Sequence, residues 1–168
     1  GDVLLQWECP IDENDTVIDL YFKKIYPTAV NSVLEVCDLF RSGNPPHRIQ
    51  DESLATYERR CTKKHALIDW NKPVNQVYNL IRGTNPAPGA WTRYKDTVVS
   101  IFDCEKAEGD GISGRIVDIS GQGVTVQCIG GRILIKRVKP DADSKQSAEA
   151  WASMSDLSVG EHLGNLNS

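Results

Sequence analysis

Residues 112–138 read Ile112-Ser-Gly-Arg-Ile-Val-Asp-Ile-Ser-Gly-Gln-Gly-Val-Thr-Val-Gln-Cys-Ile-Gly-Gly-Arg-Ile-Leu-Ile-Lys-Arg-Val138, and their reading decides the fold. Three runs rich in β-branched residues, Ile112–Ile119, Val124–Ile129 and Arg132–Val138, are separated by Ser120-Gly121-Gln122-Gly123 and by Gly130-Gly131. β-Branched side chains suit a pleated surface, and glycine-rich punctuation of this length suits tight hairpins. Upstream, Gly109-Asp110-Gly111 precedes the set, and Val98–Asp103 and Trp91–Tyr94 supply two more strands. Five closely spaced strands joined by short turns predict a small antiparallel barrel, because closure hides sheet edges. Beyond Pro140 the pattern predicts a short helix over Ser147–Met154, after which the chain end frays.

Before these strands, Val74, Val77, Tyr78 and Ile81 recur at helical spacing. Pro73 suits the first turn, where its missing N–H costs nothing, and Gly83 closes the helix. The run Asn85-Pro86-Ala87-Pro88-Gly89 forbids extension. Residues 44–56, with Pro45-Pro46 and little apolar content, read as a linker stiffened by proline. With the second folded unit starting near Lys63, the linker is set at 44–62 and the barrel domain at 63–168. At the start of the chain, Val3-Leu4-Leu5-Gln6-Trp7 fits a strand. A polar turn then offers Asp15 or Thr16 as a helix N-cap. From Val17 to Phe40 apolar residues recur in steps of three and four, which predicts a helix with one buried face. Pro27 predicts a kink or two helices, and Gly43 a left-handed end.

Aliphatic and aromatic residues make up 40% of the 168 residues and charged residues 25%, an ordinary globular composition. No stretch approaches the roughly 18 apolar residues of a membrane span, and no signal peptide is visible. The five cysteines (Cys9, Cys37, Cys61, Cys104, Cys128) are scattered and form no metal-ligand spacing, so reduced thiols in a cytoplasmic protein and no metal are expected. Gly1 opens almost directly on the Val3 run, and the chain is expected to be cut from something longer. Residues 1–56 carry 4 basic and 10 acidic side chains, residues 57–138 carry 13 and 8, and residues 139–168 carry 2 and 5. A basic middle section can attract a polyanion, or it can be an ordinary solvated surface. His47, His65 and His162 each stand alone and read as surface or loop residues.

Five segments carry a resemblance. Gly1-Asp2-Val3-Leu4-Leu5-Gln6 resembles the stretch that follows the catalytic aspartate in folate-dependent formyltransferases. Gln50-Asp51-Glu52-Ser53-Leu54-Ala55-Thr56-Tyr57 is similar to that family's linker. Ile68-Asp69-Trp70 with Pro73 looks like its Ile-Asp-Trp signature. Ile81-Arg82-Gly83-Thr84-Asn85-Pro86-Ala87-Pro88-Gly89-Ala90-Trp91-Thr92 resembles its proline-rich stretch. Gly160-Glu161-His162-Leu163-Gly164 matches a terminal pattern. The segments occur in the family's order and cover nearly the whole chain.

The resemblance implies an α/β fragment, the final strand and helix of a Rossmann-like formyltransferase domain over 1–43, followed by the linker and an OB-like antiparallel β-barrel. It implies a one-carbon transferase with 10-formyltetrahydrofolate as formyl donor. The acceptor is most like methionyl-tRNA; an amino sugar, or the hydrolase domain of formyltetrahydrofolate dehydrogenase, are the alternatives, and a non-catalytic RNA-binding module is a further one. The family's asparagine, histidine and aspartate polarise the formyl carbonyl, stabilise the oxyanion and move the amine proton. The resemblance puts all three upstream of Gly1, so no catalytic residue is assigned and the chain alone is expected to be inactive without its N-terminal catalytic domain. Gly1 and Asp2 would shape the turn beneath the folate. Tyr57 would stack on the folate ring, or simply pack. The acceptor-binding candidates are Arg59, Arg60, Lys63, Lys64, Arg93, Lys95, Arg132, Lys136 and Arg137, joined by Lys72 and by Arg82, for which a structural role, paired with Asp69 or a backbone carbonyl, is the preferred reading. Trp91 reads as core.

Overall fold

The computed structural model describes residues 1–43, 45–141 and 143–164. The chain divides into two compact units, Gly1–Arg60 and Cys61–Ser168. Asn44, the first residue of the expected linker, and residues 165–168, where fraying was expected, lie outside the described residues.

In the first unit the expected strand over 3–7 is absent. Only Val3 pairs, exchanging N–H···O bonds of 2.9 Å with Arg48. A strand needs a partner along its length, and the described residues of this unit supply one for a single residue. The helical run, by contrast, is uninterrupted over residues 17–41: α1 (Val17–Asp19), a π-helical stretch (Leu20–Ile25) and α2 (Tyr26–Arg41). Thr16 caps it in a reciprocal box with Asp19. The Lys23 ammonium, then the Thr16 hydroxyl, hold the Asp19 carboxyl at about 2. Pro27 does not split the run, because the widened turn places it in the first turn of α2, where no N–H is required. The Tyr26 N–H reaches back to the Tyr21 carbonyl, and the Thr28 hydroxyl donates to the Lys24 carbonyl at 2.7 Å. No residue of this run is buried. The expected apolar stripe is present, but Val17, Tyr21, Ile25, Val30, Val33 and Leu34 remain 42–62% exposed.

The second unit holds the core. Pro73 precedes α3 (Val74–Thr84), whose Val77, Tyr78, Ile81 and Thr84 are buried on one face. The helix runs one residue past Gly83. What stops it is Pro86, which drives Asn85 into extended backbone (φ −85°, ψ 123°). Among the described residues six strands follow: β1 (Ala90–Tyr94), β2 (Thr97–Ala107), β3 (Ile116–Ser120), β4 (Gly123–Cys128), β5 (Gly131–Pro140) and β6 (Gln146–Ser147). Then comes α4 (Ala148–Met154), capped by the Ser147 hydroxyl on the Ala150 N–H. The Val98–Asp103 run thus extends to Ala107, carried through a register shift between Ile101 and Cys104. The Ile112–Ile119 run loses its first four residues to a turn, in which Gly114 adopts φ 78° and donates its N–H to Gln127 O.

Strand pairing is antiparallel throughout, in the order β1-β2-β5-β4-β3, with β6 on β5. A β2–β3 hairpin across Gly109-Asp110-Gly111 does not form, because β5 occupies that edge of β2, with Lys106 opposite Ile133 and Ala107 opposite Arg132. No pairing joins β3 back to β1 among the described residues, so the sheet is open where a closed barrel was expected. The C-terminal segment covers both ends of the path instead. Gly160 N–H bonds Ile116 O, Ile116 N–H bonds Glu161 O, and Gly164 N–H bonds Arg93 O. A segment of chain thereby satisfies the edges that closure would have satisfied.

Glu161 fastens that segment. Its Oε2 accepts from the Ser158 N–H at 2.7 Å and from the Tyr94 hydroxyl at 2.8 Å. The backbone bond first, and then the phenol, lower the Glu161 carboxyl from its ordinary value of 4.5. A lowered carboxyl stabilises the fold above its unfolded value and stops doing so as pH falls through the folded value. Thermal melts of the wild type and Glu161→Gln should therefore differ near neutral pH and converge as pH drops below 4.5. A constant gap between the two across that range would remove the assignment.

Candidate functional site

The sequence-selected cations of the second unit do not form one patch; the sheet sorts them. Lys136 pairs with Glu105, and Arg137 Nε lies 3.1 Å from Asp103, so two cations of β5 are matched by acids of β2. Lys95 lies 4.0 Å from Glu161 and 4.6 Å from the Tyr94 ring centroid, and Lys63 lies 3.6 Å from Asp141. Arg132 Nε donates to Oε1 of the buried Gln127 at 3.0 Å, an internal bond that sequence reading missed. Arg82 Nε donates to Asn79 Oδ1 at 2.8 Å on its own helix. Exposed pairs of this kind are weak, but they cancel charge locally. Among the described residues, Lys64, Lys72 and Arg93 carry no acidic partner.

Lys64 and Arg93 meet in a cleft of about 690 Å³. One wall is residues 67–71, a second is β1 at Trp91 and Arg93, and the rest is the 112–114 turn and the 162–164 segment. Backbone bonds hold these pieces together: Ile68 N–H to Trp91 O at 2.8 Å and Leu163 N–H to Gly114 O at 2.9 Å. Trp70 is buried, its indole N–H donating to the Thr92 hydroxyl at 2.9 Å. Trp91, expected in the core, is only half-buried; its indole N–H donates to the Lys63 carbonyl at 2.6 Å. It turns outward because β1 alternates, with Ala90, Thr92 and Tyr94 taking the inner positions. His162, read as an isolated surface residue, lines the same cleft.

In the first unit Asp2 Oδ2 lies 3.1 Å from His47 Nδ1, and the Gly1 carbonyl accepts from Gln50 Nε2 at 2.6 Å. Asp2 borders a shallow groove of about 510 Å³ with Val3, Leu5, Val33 and Cys37. Tyr57 is 85% exposed and is not among the residues that line this groove. Arg59 and Arg60 are also exposed. Burial pushes the Cys104 and Cys128 thiols up to about 12, so neither is a nucleophile near neutral pH. Among the described residues no helix is long and apolar enough to cross a membrane, and no group of three or more His, Cys, Asp or Glu side chains is placed to hold a metal ion.

Residues 60–155 match the family model described as formyl transferase, C-terminal domain. Over 97% of its length the chain is 28% identical to a methionyl-tRNA formyltransferase of Fusobacterium nucleatum, covering 54% of that protein. It is 31% identical to that of Ruminiclostridium cellulolyticum over 98% of the chain, again 54% of the relative. The chain thus spans about half the length of these curated relatives. It is also 34% identical to the cytosolic 10-formyltetrahydrofolate dehydrogenase of Xenopus tropicalis over 72% of the chain and 14% of that protein. Among solved structures, HypX from Aquifex aeolicus in complex with tetrahydrofolic acid superposes with a TM-score of 0.76 at 18% identity, over 96% of this chain and 29% of that one.

Proposed function

The chain belongs to the formyl transferase family through its C-terminal domain, and from that premise we propose that it is the acceptor-holding part of a 10-formyltetrahydrofolate-dependent transferase that formylates the amine of methionyl-tRNA. The observation that carries this reading is the likeness to methionyl-tRNA formyltransferases along nearly the whole chain. Lys64 and Arg93, left without acidic partners in the second unit, support it as contacts for phosphate oxygens. Lys63 would extend that surface within the second unit, Arg59 and Arg60 are read as phosphate contacts of the first unit by themselves, and Arg132 and Arg82 are read as structural. Folate enters as co-substrate. Gly1, Asp2 and Tyr57 are read as lying toward it, and neither Tyr57 nor Asp2 supplies the proton transfer. That chemistry is read as belonging to an N-terminal catalytic domain, in a cytoplasmic protein whose second unit is an OB-like variant with its edges covered by the tail.

A second reading is a hydrolase domain like that of formyltetrahydrofolate dehydrogenase, favoured by the 34% identity over residues that exclude part of the chain. Titration of the 168-residue chain with methionyl-tRNA separates the two. On the first reading, affinity falls roughly 100-fold between about 50 and 200 mM salt if about four phosphates are contacted. Lys64→Glu with Arg93→Glu should weaken low-salt binding roughly tenfold or more, while Lys136→Glu should do less. The chain alone should show no formyl transfer. Absence of binding at low salt would overturn the tRNA reading.

A further inference from the structure

The cleft of the second unit offers more than charge. A surface that meets only phosphate needs no aromatic face, yet Trp91 lines this cleft with its ring orientation set by the bond to the Lys63 carbonyl. Leu67 and Ile112, 48% and 62% exposed, add apolar surface beside it. Arg93 and Lys64 supply positive charge, and His162 further nitrogen atoms. Asp69 also lines the cleft, its Oδ1 accepting the Asn71 N–H at 2.9 Å. The volume lies within the roughly 300–1,000 Å³ of small-ligand sites. A flat ring that bears an anion uses all of these groups together. Bases stack on aromatic side chains whatever their sequence, and the adjoining phosphate seeks the cations.

We propose that this cleft takes a single unpaired nucleotide of the RNA, its base stacked on Trp91 and its phosphate met by Arg93 and Lys64. The inference rests on the reading of this unit as an RNA holder. An acidic peptide would satisfy the cations, but its carboxylates would meet Asp69, whereas a base amino group or ribose hydroxyl can donate to that carboxylate. One face of the Trp91 ring is met by Lys63 Nζ, which lies over it at 5.8 Å from the centroid and adds positive charge there, so the base would stack on the other face.

The test compares a labelled uridine trinucleotide with the same trinucleotide made abasic at its centre, both titrated against the full 168-residue chain. The base-bearing trimer should bind roughly tenfold or more tighter. Trp91→Ala should abolish that difference and Trp91→Phe should keep most of it, while Arg93→Gln should weaken both trimers alike. Equal affinity of the wild type for the two trimers would overturn the inference. So would discrimination that survives Trp91→Ala, or an acidic peptide that binds more tightly than the base-bearing trimer. Methionyl-tRNA that binds while the trimers are not distinguished would overturn the nucleotide site and leave the tRNA reading standing. Failure of methionyl-tRNA to bind would instead overturn that reading.

Discussion

Gly123→Ala should lower the melting temperature of the second unit by roughly 15–30 °C. Gly123 opens β4 opposite Ser120 and has φ 138°, a backbone conformation that residues with a β-carbon rarely adopt. The added methyl would lie 2.0 Å from the Ile135 carbonyl oxygen and 3.0 Å from its carbon. That oxygen belongs to β5, and Ile135 is itself fully buried, so the neighbour cannot yield without opening the β4–β5 ladder. Strain and clash together should cost about 4 kcal/mol or more, a large part of the stability of a small domain. Gly121→Ala is the control. Gly121 lies in the same turn without a left-handed φ, and its new methyl would meet only Glu149 Oε1 at 3.9 Å. It should melt within a few degrees of the wild type. A normal melt for Gly123→Ala would show that the hairpin adjusts in a way this geometry does not allow.

Gln127→Leu is the second large effect, and it acts through a group with no apolar equivalent. Gln127 is fully buried. Its amide nitrogen lies 2.9 Å from Gly109 O, 2.9 Å from Gly131 O and 2.8 Å from Cys128 O, and its amide oxygen accepts from Arg132 Nε. One side chain thereby ties the connection after β2 to the β4–β5 hairpin. Leucine has a similar size but takes away the bonds to the Gly109 carbonyl and to Arg132 Nε, at a cost of about 2–4 kcal/mol. Gln127→Glu should not restore stability: it keeps the acceptor for Arg132 but turns a carboxylate toward the carbonyls of Gly109 and Gly131. Chemical denaturation of the three proteins reads this directly. Unchanged stability of Gln127→Leu would mean that the connection does not depend on this side chain.

Much of the second unit was legible because its signals are local. The β-branched run Arg132–Val138, the 3–4 spacing of Val74, Val77, Tyr78 and Ile81, and the short helix over Ser147–Met154 all report conformations set by neighbours a few residues away. β4 and β5 fall within two residues of their expected bounds. The first unit was read less well. The apolar run at Val3 has strand composition, but strand formation depends on a paired neighbour rather than on the run itself. Pro27 was read by its average effect in a helix interior, whereas the π-helical stretch before it placed it in a first turn.

The site divides in the same way. Charge counts identified the basic section of the chain but not which of its cations stay unmatched, because that depends on which strand lies beside β5. The pairing of β5 with β2 set Glu105 against Lys136 and Asp103 against Arg137, while the alternation of β1 left Arg93 on the outer side, facing the cleft. A reading of His162 as solitary was correct along the sequence and incomplete in space, since the 162–164 segment returns to β1 across a separation of some seventy residues.

By itself, then, the sequence determined the element types of the second unit, the positions of most turns and the resemblance to the formyltransferase family. All of these reside in residue types at short or fixed spacing. Tertiary structure alone decided the order β1-β2-β5-β4-β3, the covering of the open sheet by the tail and the cleft around Trp91. The physical reason is that backbone preferences are set residue by residue. Strand partners, buried polar ties and surviving surface charge are settled only when distant segments compete for the same hydrogen bonds and the same core.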